Sequence, residues 1–198
     1  MEAKILRLNM AGQPVEWLHW KEAVNLYARE LIAWSLGGVV KRVHGGRSRF
    51  SGCQTFIDLP AIVASDGERL AQAKTIPPLT NAGLFRRDNG QCLYCGHYFD
   101  YAELSRDHVF PSSRGGEDRW ENVVAACLRC NQRKGNHLLE DIDMDLLALP
   151  YRPNPYEYLA LINNDRIRGD QMAYLRPQFK RYSGKLIGAR GNSFSLRF

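Results

Sequence analysis

The sequence predicts an α+β protein. Short apolar runs with two-residue alternation occur near the N-terminus and again before residue 65, as half-buried strands require. Between them the apolar spacing lengthens to three and four residues, which calls for a helix. Two CxxC pairs, Cys92/Cys95 and Cys127/Cys130, then enclose 31 residues, a stretch that a bound metal could staple at both ends.

The elements follow in chain order. Residues 3–10, "AKILRLNM", place Leu6, Leu8 and Met10 on one face of a strand. "AGQP" turns the chain and "VEWLHW" returns as a second strand. From Trp20 the period changes: Val24, Tyr27, Leu31 and Trp34 predict one amphipathic helix through "WKEAVNLYARELIAWSL", stopped by Gly37-Gly38. "VVKRVH" and "TFIDLPAIVA" read as two more strands around the loop "GGRSRFSG". Arg47 and Arg49 in that loop lie between glycines that would permit close approach to a phosphate backbone, but a solvated hairpin loop is the simpler reading. Trp17, Trp20 and Trp34 read as core, and Cys53 as a small buried hydrophobe.

Paired prolines in "TIPPLT", residues 75–80, predict an extended linker. The chain thus divides into an α+β region (1–80), the cysteine-bearing segment (81–148) and a C-terminal segment (149–198). The last boundary lies where Pro150, Pro153 and Pro155 break any preceding helix. "YEYLALINNDRIRGDQMAYL" then reads as helical. The tail from 176 to 198 holds Arg176, Lys180, Arg181, Lys185, Arg190 and Arg197 without an acid. Such a tail could neutralise phosphates, or simply solubilise a frayed terminus.

Bulk properties narrow the function classes. With 198 residues, 44% of them hydrophobic and 24% charged, the composition is that of a globular chain, not a disordered one. No apolar run approaches the roughly 20 residues of a membrane span. The N-terminus lacks a signal-peptide layout, so a cytoplasmic protein without a disulfide framework is expected. The net charge of +6 leans towards nucleic acid without deciding it.

In a CxxC knuckle the backbone turns so that both sulfurs face one metal. Two knuckles supply the four thiolates that structural zinc prefers, and Gly96 suits the turn after the first. Redox CxxC pairs and unligated buried cysteines are the competing readings, and His97 and His137 are spare ligands. Between the knuckles, "LSRDHVF" reads as a strand carrying Asp107 and His108. "PSSRGGEDRW" reads as a polar loop over a core Trp120, and "ENVVAAC" as a second strand after Asn122. "CNQRKGNHLLEDI" begins a helix with Asn131 in its first turn.

The stretches "RDHVFPSSRGG", "WENVVAACLRCN" and "RKG" resemble the HNH homing and restriction-type endonucleases over about residues 84–138. More loosely, the whole chain is similar to small bacterial HNH endonucleases. The resemblance implies a ββα-metal core, here stapled by a four-cysteine zinc site, after a short N-terminal α+β region; that region and the basic tail are candidates to position double-stranded DNA. It also implies that Asn122 braces the loop and orients His108. Asn131 stands where the family name places a histidine, an HNN variant that suits a hard cation better than catalytic zinc.

Phosphodiester hydrolysis needs a deprotonated water and stabilised charge at phosphorus and leaving oxygen. His108 is the expected general base. Asp107 and Asn131 would hold one catalytic Mg²⁺ or Mn²⁺. Neighbours on a strand face opposite ways, so Asp107 and His108 can share a site only where the strand end twists or bulges. Arg129, Arg133 and Lys134 are the candidate phosphate contacts, and Glu117, Asp118 and Glu121 read as loop solvation, with a carboxylate this close able to assist the metal. A non-catalytic zinc-containing nucleic-acid-binding protein and a protein-docking module are the alternatives. A homodimer would allow both strands to be cut.

Overall fold

The computed structural model describes residues 4–66, 76–163 and 166–179. They form two compact units. One draws on the chain up to Ile76 and again from Pro155 to Phe179, the other on Pro77–Asn154. Helices and strands are mixed, as an α+β protein requires.

In the first unit, β1 (Ile5–Leu8), β2 (Pro14–Leu18), β3 (Ile32–Arg47) and β4 (Gln54–Ser65) make a sheet in the order β2-β1-β4-β3. β1 pairs antiparallel with β2 and parallel with β4, Leu6 lying opposite Trp17 on one side and Ile62 on the other. Both faces of β1 are covered. Leu6 and Leu8 pack with Ile62 and Ala64 against Leu159, Ala160 and Leu175 of helices α4 (Pro155–Ile162) and α5 (Gly169–Leu175). Ile5 and Val63 face Ala23 and Leu26 of α1 (Trp20–Ala28). Met10, expected beside Leu6 and Leu8, lies past the strand end and is exposed. The three tryptophans pack against these two cores, Trp17 also donating from Nε1 to the Leu159 carbonyl at 2.9 Å.

The long helix expected over residues 20–36 is half that length. Glu30 adopts φ 57°, and the Leu31 amide donates back to the Leu26 carbonyl at 3.0 Å, which closes the helix end. Residues 32–36 instead pair with β4, Ile32 opposite Ser65 and Trp34 opposite Ala64. Ile32, Trp34 and Leu36 satisfy a two-residue period, and the sheet edge decides between the periods. Gly37-Gly38 fall in an irregular part of β3 between Leu36 and Val39 rather than at a helix stop. Cys53 is exposed in the β3–β4 turn, not buried. The single C-terminal helical segment resolves into α4 and α5, which belong with the N-terminal sheet and not to a separate segment. Residues 180–198 of the basic tail, and all but residue 76 and beyond of the expected linker, lie outside the described residues.

The second unit holds α2 (Asn81–Arg87), the hairpin of β5 (Leu104–His108) and β6 (Val123–Cys127), and α3 (Leu128–Lys134). β5 and β6 pair antiparallel in unbroken register from Leu104–Cys127 to His108–Val123. Every residue of β6 is buried. The helix after Cys127 stops at Lys134, with Gly135 at φ 51° taking the chain out of it, so residues 135–142 do not continue it as expected. Arg87, buried, ties this unit together. It pairs with Asp88 at 2.7 Å and donates to the carbonyls of Trp120, Val123 and Tyr151, while Asp88 accepts from the Ala125 amide. A buried charge is tolerated only with partners of this number and quality.

Candidate active site and metal centre

The Sγ atoms of Cys92, Cys95, Cys127 and Cys130 lie within 4.8 Å of one another. A zinc tetrahedron with bonds of about 2.3 Å has edges of about 3.8 Å, so a contraction of about 1 Å at most would close it. The first knuckle is built by the Cys92 amide donating to the His97 carbonyl and the Gly96 amide to the Cys92 carbonyl, both at 2.9 Å. Gly96 sits at φ 78°, as this turn demands. The knuckle is fastened to the hairpin by the Leu93 amide on the Ala125 carbonyl. The second knuckle caps α3, Cys127 Sγ accepting from the Cys130 amide at 3.4 Å. Burial raises the Cys92 thiol, but backbone hydrogen bonds to Cys95, Cys127 and Tyr94 outweigh it and leave its pKa below the ordinary value. Burial and the Cys127 sulfur push Cys130 upward. Four sulfurs this close lose their protons together only around a cation, so the cluster is suited to a structural metal ion.

The strand alternation of β5 sorts the remaining residues. Ser105 and Asp107 face α3. Asn131 Nδ2 donates to Ser105 Oγ at 2.8 Å, and Lys134 Nζ lies 3.4 Å from Asp107 Oδ2. Tyr94, inside the first knuckle, donates its hydroxyl to the same Oδ2. Burial first, and the Asp107 carboxylate second, raise the Tyr94 phenol well above its ordinary value, so it remains a donor. Among the described residues these polar contacts all fall on Oδ2, which leaves Oδ1 to a ligand. Arg106 and His108 face the opposite way, towards the loop. Both meet Asp118, at 2.5 Å from Arg106 Nη1 and 3.2 Å from His108 Nε2. The Arg106 hydrogen bond holds the Asp118 carboxyl below the usual range.

Asp107 and His108 therefore do not meet through a bulge. They lie side by side at the end of a regular strand with side chains turned apart, and Lys134 joins them by also donating to the His108 carbonyl at 2.7 Å. Asn122 clamps the loop: its Oδ1 accepts from the Phe110 amide at 2.9 Å, and its Nδ2 donates to the carbonyls of Phe110 and Glu117. Gly116 allows this closure, because a Cβ there would run into the Phe110 carbonyl. Trp120 is buried beneath the loop and donates from Nε1 to the Pro77 carbonyl at 2.9 Å.

Lys134, expected as a phosphate contact with a solvated helix face as the alternative, is fully buried, its ammonium shared between Asp107 and the strand end. Arg129 and Arg133 lie one helical turn apart and line an open cleft with Glu103, His97 and Leu128. Asp118, read from the sequence as loop solvation, instead meets Arg106 and His108, and Tyr94 and Arg87 escaped the sequence reading. Only Tyr94 offered a signal, as a phenol enclosed between two metal-ligand candidates.

Comparison with known proteins agrees with this geometry. Residues 92–147 match the HNH endonuclease family. Over 52 residues, 26% of this chain, the sequence is 44% identical to the CRISPR-associated endonuclease Cas9 of Corynebacterium diphtheriae. Over 46 residues, 23% of the chain, it is 44% identical to that of Actinomyces naeslundii. The matched part spans 5% and 4% of those proteins' lengths. The stretch from Cys92 to Leu147, with its two knuckles, β5–β6 hairpin and α3, is thus the part of the chain that is similar to HNH endonucleases.

Proposed function

We propose that the chain is a metal-dependent DNA endonuclease acting on double-stranded DNA in the cytoplasm, with zinc in the four-cysteine cluster. His108 is the general base, and one divalent cation, Mg²⁺ or Mn²⁺, is held by Asp107 and Asn131. The observation that carries this reading is the end of β5, where Asp107 turns towards Asn131's helix and the part-exposed His108 imidazole turns towards the loop, so that a phosphate placed across the strand end would meet the cation on one side and the base on the other. The donor set fits a hard cation, since Mg²⁺ commonly binds one or two carboxylates and completes its shell with water and phosphate. When bound, such an ion stabilises charge on the phosphate and the leaving oxygen.

The protein's own groups supply the rest. With His108 Nε2 turned to Asp118, Nδ1 is the nitrogen left to take a proton from water, and the carboxylate steadies the imidazolium that results. Asn122 fixes the loop that carries Asp118, so its effect on His108 is indirect. Arg129 and Arg133 bind neighbouring phosphates. A single site of this kind cuts one strand at a time, and paired cuts call for two copies.

Supercoiled plasmid incubated with Mg²⁺ or Mn²⁺ tests the proposal, beside a chelator control and His108→Ala. Nicked or linear product that needs metal and His108 supports it. Wild type and variant equally inert, yet both retarding DNA in a gel, would replace it with a non-catalytic nucleic-acid-binding protein on the same scaffold.

A further inference from the structure

The β3–β4 hairpin is longer than the sheet it belongs to. β1 pairs with β4 only along residues 62–64, whereas the β3–β4 ladder runs out to Arg47 opposite Gln54. Val43 and Ile57 pack at the margin of the α1 core and anchor the base of this ribbon. Beyond them nearly every residue is exposed, up to a turn over residues 48–53. The turn is well built: the Ser48 amide donates to the Cys53 carbonyl, and Ser48 Oγ accepts from the amides of Phe50 and Ser51. Its product is a phenylalanine held fully in solvent, Phe50 at 104% relative exposure. An ordered turn that displays a large apolar ring costs hydrophobic free energy unless something covers the ring.

The charge on the ribbon says what covers it. Between Val39 and Asp58 stand Lys41, Arg42, Arg47 and Arg49 against one acid, Asp58. Arg42 already neutralises Asp58 in a two-point pair at 2.6 and 2.7 Å, and stacks over the Phe56 ring at 4.4 Å. Lys41 lies over the Trp20 ring, also at 4.4 Å. Arg47 and Arg49, exposed at the tip on either side of Ser48, have no acidic partner among the described residues. Two strands about 4.8 Å apart, flanked by their side chains, make a body that the roughly 12 Å major groove of DNA admits.

We infer that the β3–β4 ribbon is a duplex-DNA-binding arm, in which Arg47 and Arg49 contact phosphates and Phe50 packs against base edges or a base step. The inference rests on the reading of the chain as a DNA nuclease, and it assigns the gripping of the duplex to a different element from the one that cuts. Its chemistry combines charge neutralisation with apolar contact.

The test uses the full chain with His108→Ala, loaded with zinc, and measures binding to a fluorescent DNA duplex by anisotropy over a range of salt. Adding Arg47→Ala and Arg49→Ala should weaken binding about tenfold near physiological salt. It should also reduce the slope of log K against log salt by about 2, roughly one for each phosphate no longer neutralised. Arg47→Lys with Arg49→Lys should keep most of the affinity and the slope. Phe50→Ala should weaken binding at all salts with the slope unchanged. Unchanged circular dichroism and zinc content establish that the variants are folded.

Affinity within twofold and an equal slope in the double alanine variant would overturn the arm. So would tighter, arginine-dependent binding to RNA, or a dimer that Phe50→Ala converts to monomer. An active nuclease whose binding ignores the ribbon sinks the arm alone. An inert protein whose binding still depends on Arg47 and Arg49 sinks the nuclease reading alone.

Discussion

Tyr94 donates its hydroxyl to Asp107 Oδ2, so a residue lying between the two cysteines of the first knuckle touches the carboxylate at the centre of the candidate site. The metal cluster and the hairpin end are one mechanical unit. Tyr94→Phe should leave zinc content unchanged, lower stability by about 1–3 kcal/mol as a bond to a charged group is lost, and raise the Mg²⁺ concentration needed for half-maximal cleavage. Denaturant unfolding and a Mg²⁺ titration of nicking measure both effects. If neither moves, the contact is idle.

Lys134 and Arg133 are neighbours in sequence with opposite expected phenotypes. Lys134→Met strips a fully buried partner from Asp107 and should cost about 3–5 kcal/mol, the penalty of an uncompensated buried charge. Arg133→Ala should leave unfolding within about 0.5 kcal/mol of wild type, as surface changes do, while weakening DNA binding. The reverse pattern would return Lys134 to the phosphate-contact role first expected of it.

Asp118 gives a pH signature. Arg106 lowers its folded pKa, so its contribution to stability is fully present above the ordinary carboxylate value of about 3.9 and is lost as pH falls through the lower folded value. Asp118→Asn should therefore be less stable than wild type at neutral pH, and the difference should shrink in acid as pH falls through the lower folded value. Because Asp118 stays charged through the neutral range, it is not the source of any fall in wild-type cleavage between about pH 7 and pH 5. The same variant should slow cleavage about tenfold or more at neutral pH if the carboxylate orients His108. Urea unfolding at neutral and acid pH and nicking rates separate the two roles.

Zinc removal should unfold the second unit rather than merely inactivate it. The first knuckle holds β6 through the Leu93 amide on the Ala125 carbonyl, and the Leu93 carbonyl in turn accepts from the Leu147 amide. Metal binding to such a cluster is folding free energy. Stripping with a zinc chelator should abolish cleavage and reduce ellipticity, with recovery on adding zinc but not Mg²⁺ alone. Full retention of fold in the stripped protein would mean that the cysteines are merely neighbours.

Legibility in the sequence followed how strictly the chemistry dictates residue type. Two CxxC pairs and an Asp-His step followed by two spaced asparagines are patterns that packing alone does not demand, so both knuckles, Asp107, His108, Asn122 and Asn131 stood out as candidates. Leu31 and Trp34 suit a helix face, yet Trp34 also suits a strand, and only its pairing with Ala64, far along the chain, decides between them. Lys134 and Arg87 were opaque for a different reason. Long cations are almost always solvated, and nothing in a neighbouring residue announces a burial that depends on remote carbonyls and carboxylates. Cys53 failed the other way, a residue type usually inside that stands in a turn.

The first unit is discontinuous in the chain, its sheet supplied before Ile76 and its covering helices only after Pro155. On a ribosome the nuclease segment emerges whole while its host is still missing α4 and α5. Leu6, Leu8, Ile62 and Ala64 then wait uncovered for about eighty residues of synthesis, several seconds at elongation rates of about 5–20 residues per second. Contacts so distant in sequence also make for slow closure. Nascent chains in which residue 150 has just emerged should thus present a finished metal-stapled hairpin beside a sticky half-sheet, the state in which this protein is most exposed to chaperones and to aggregation.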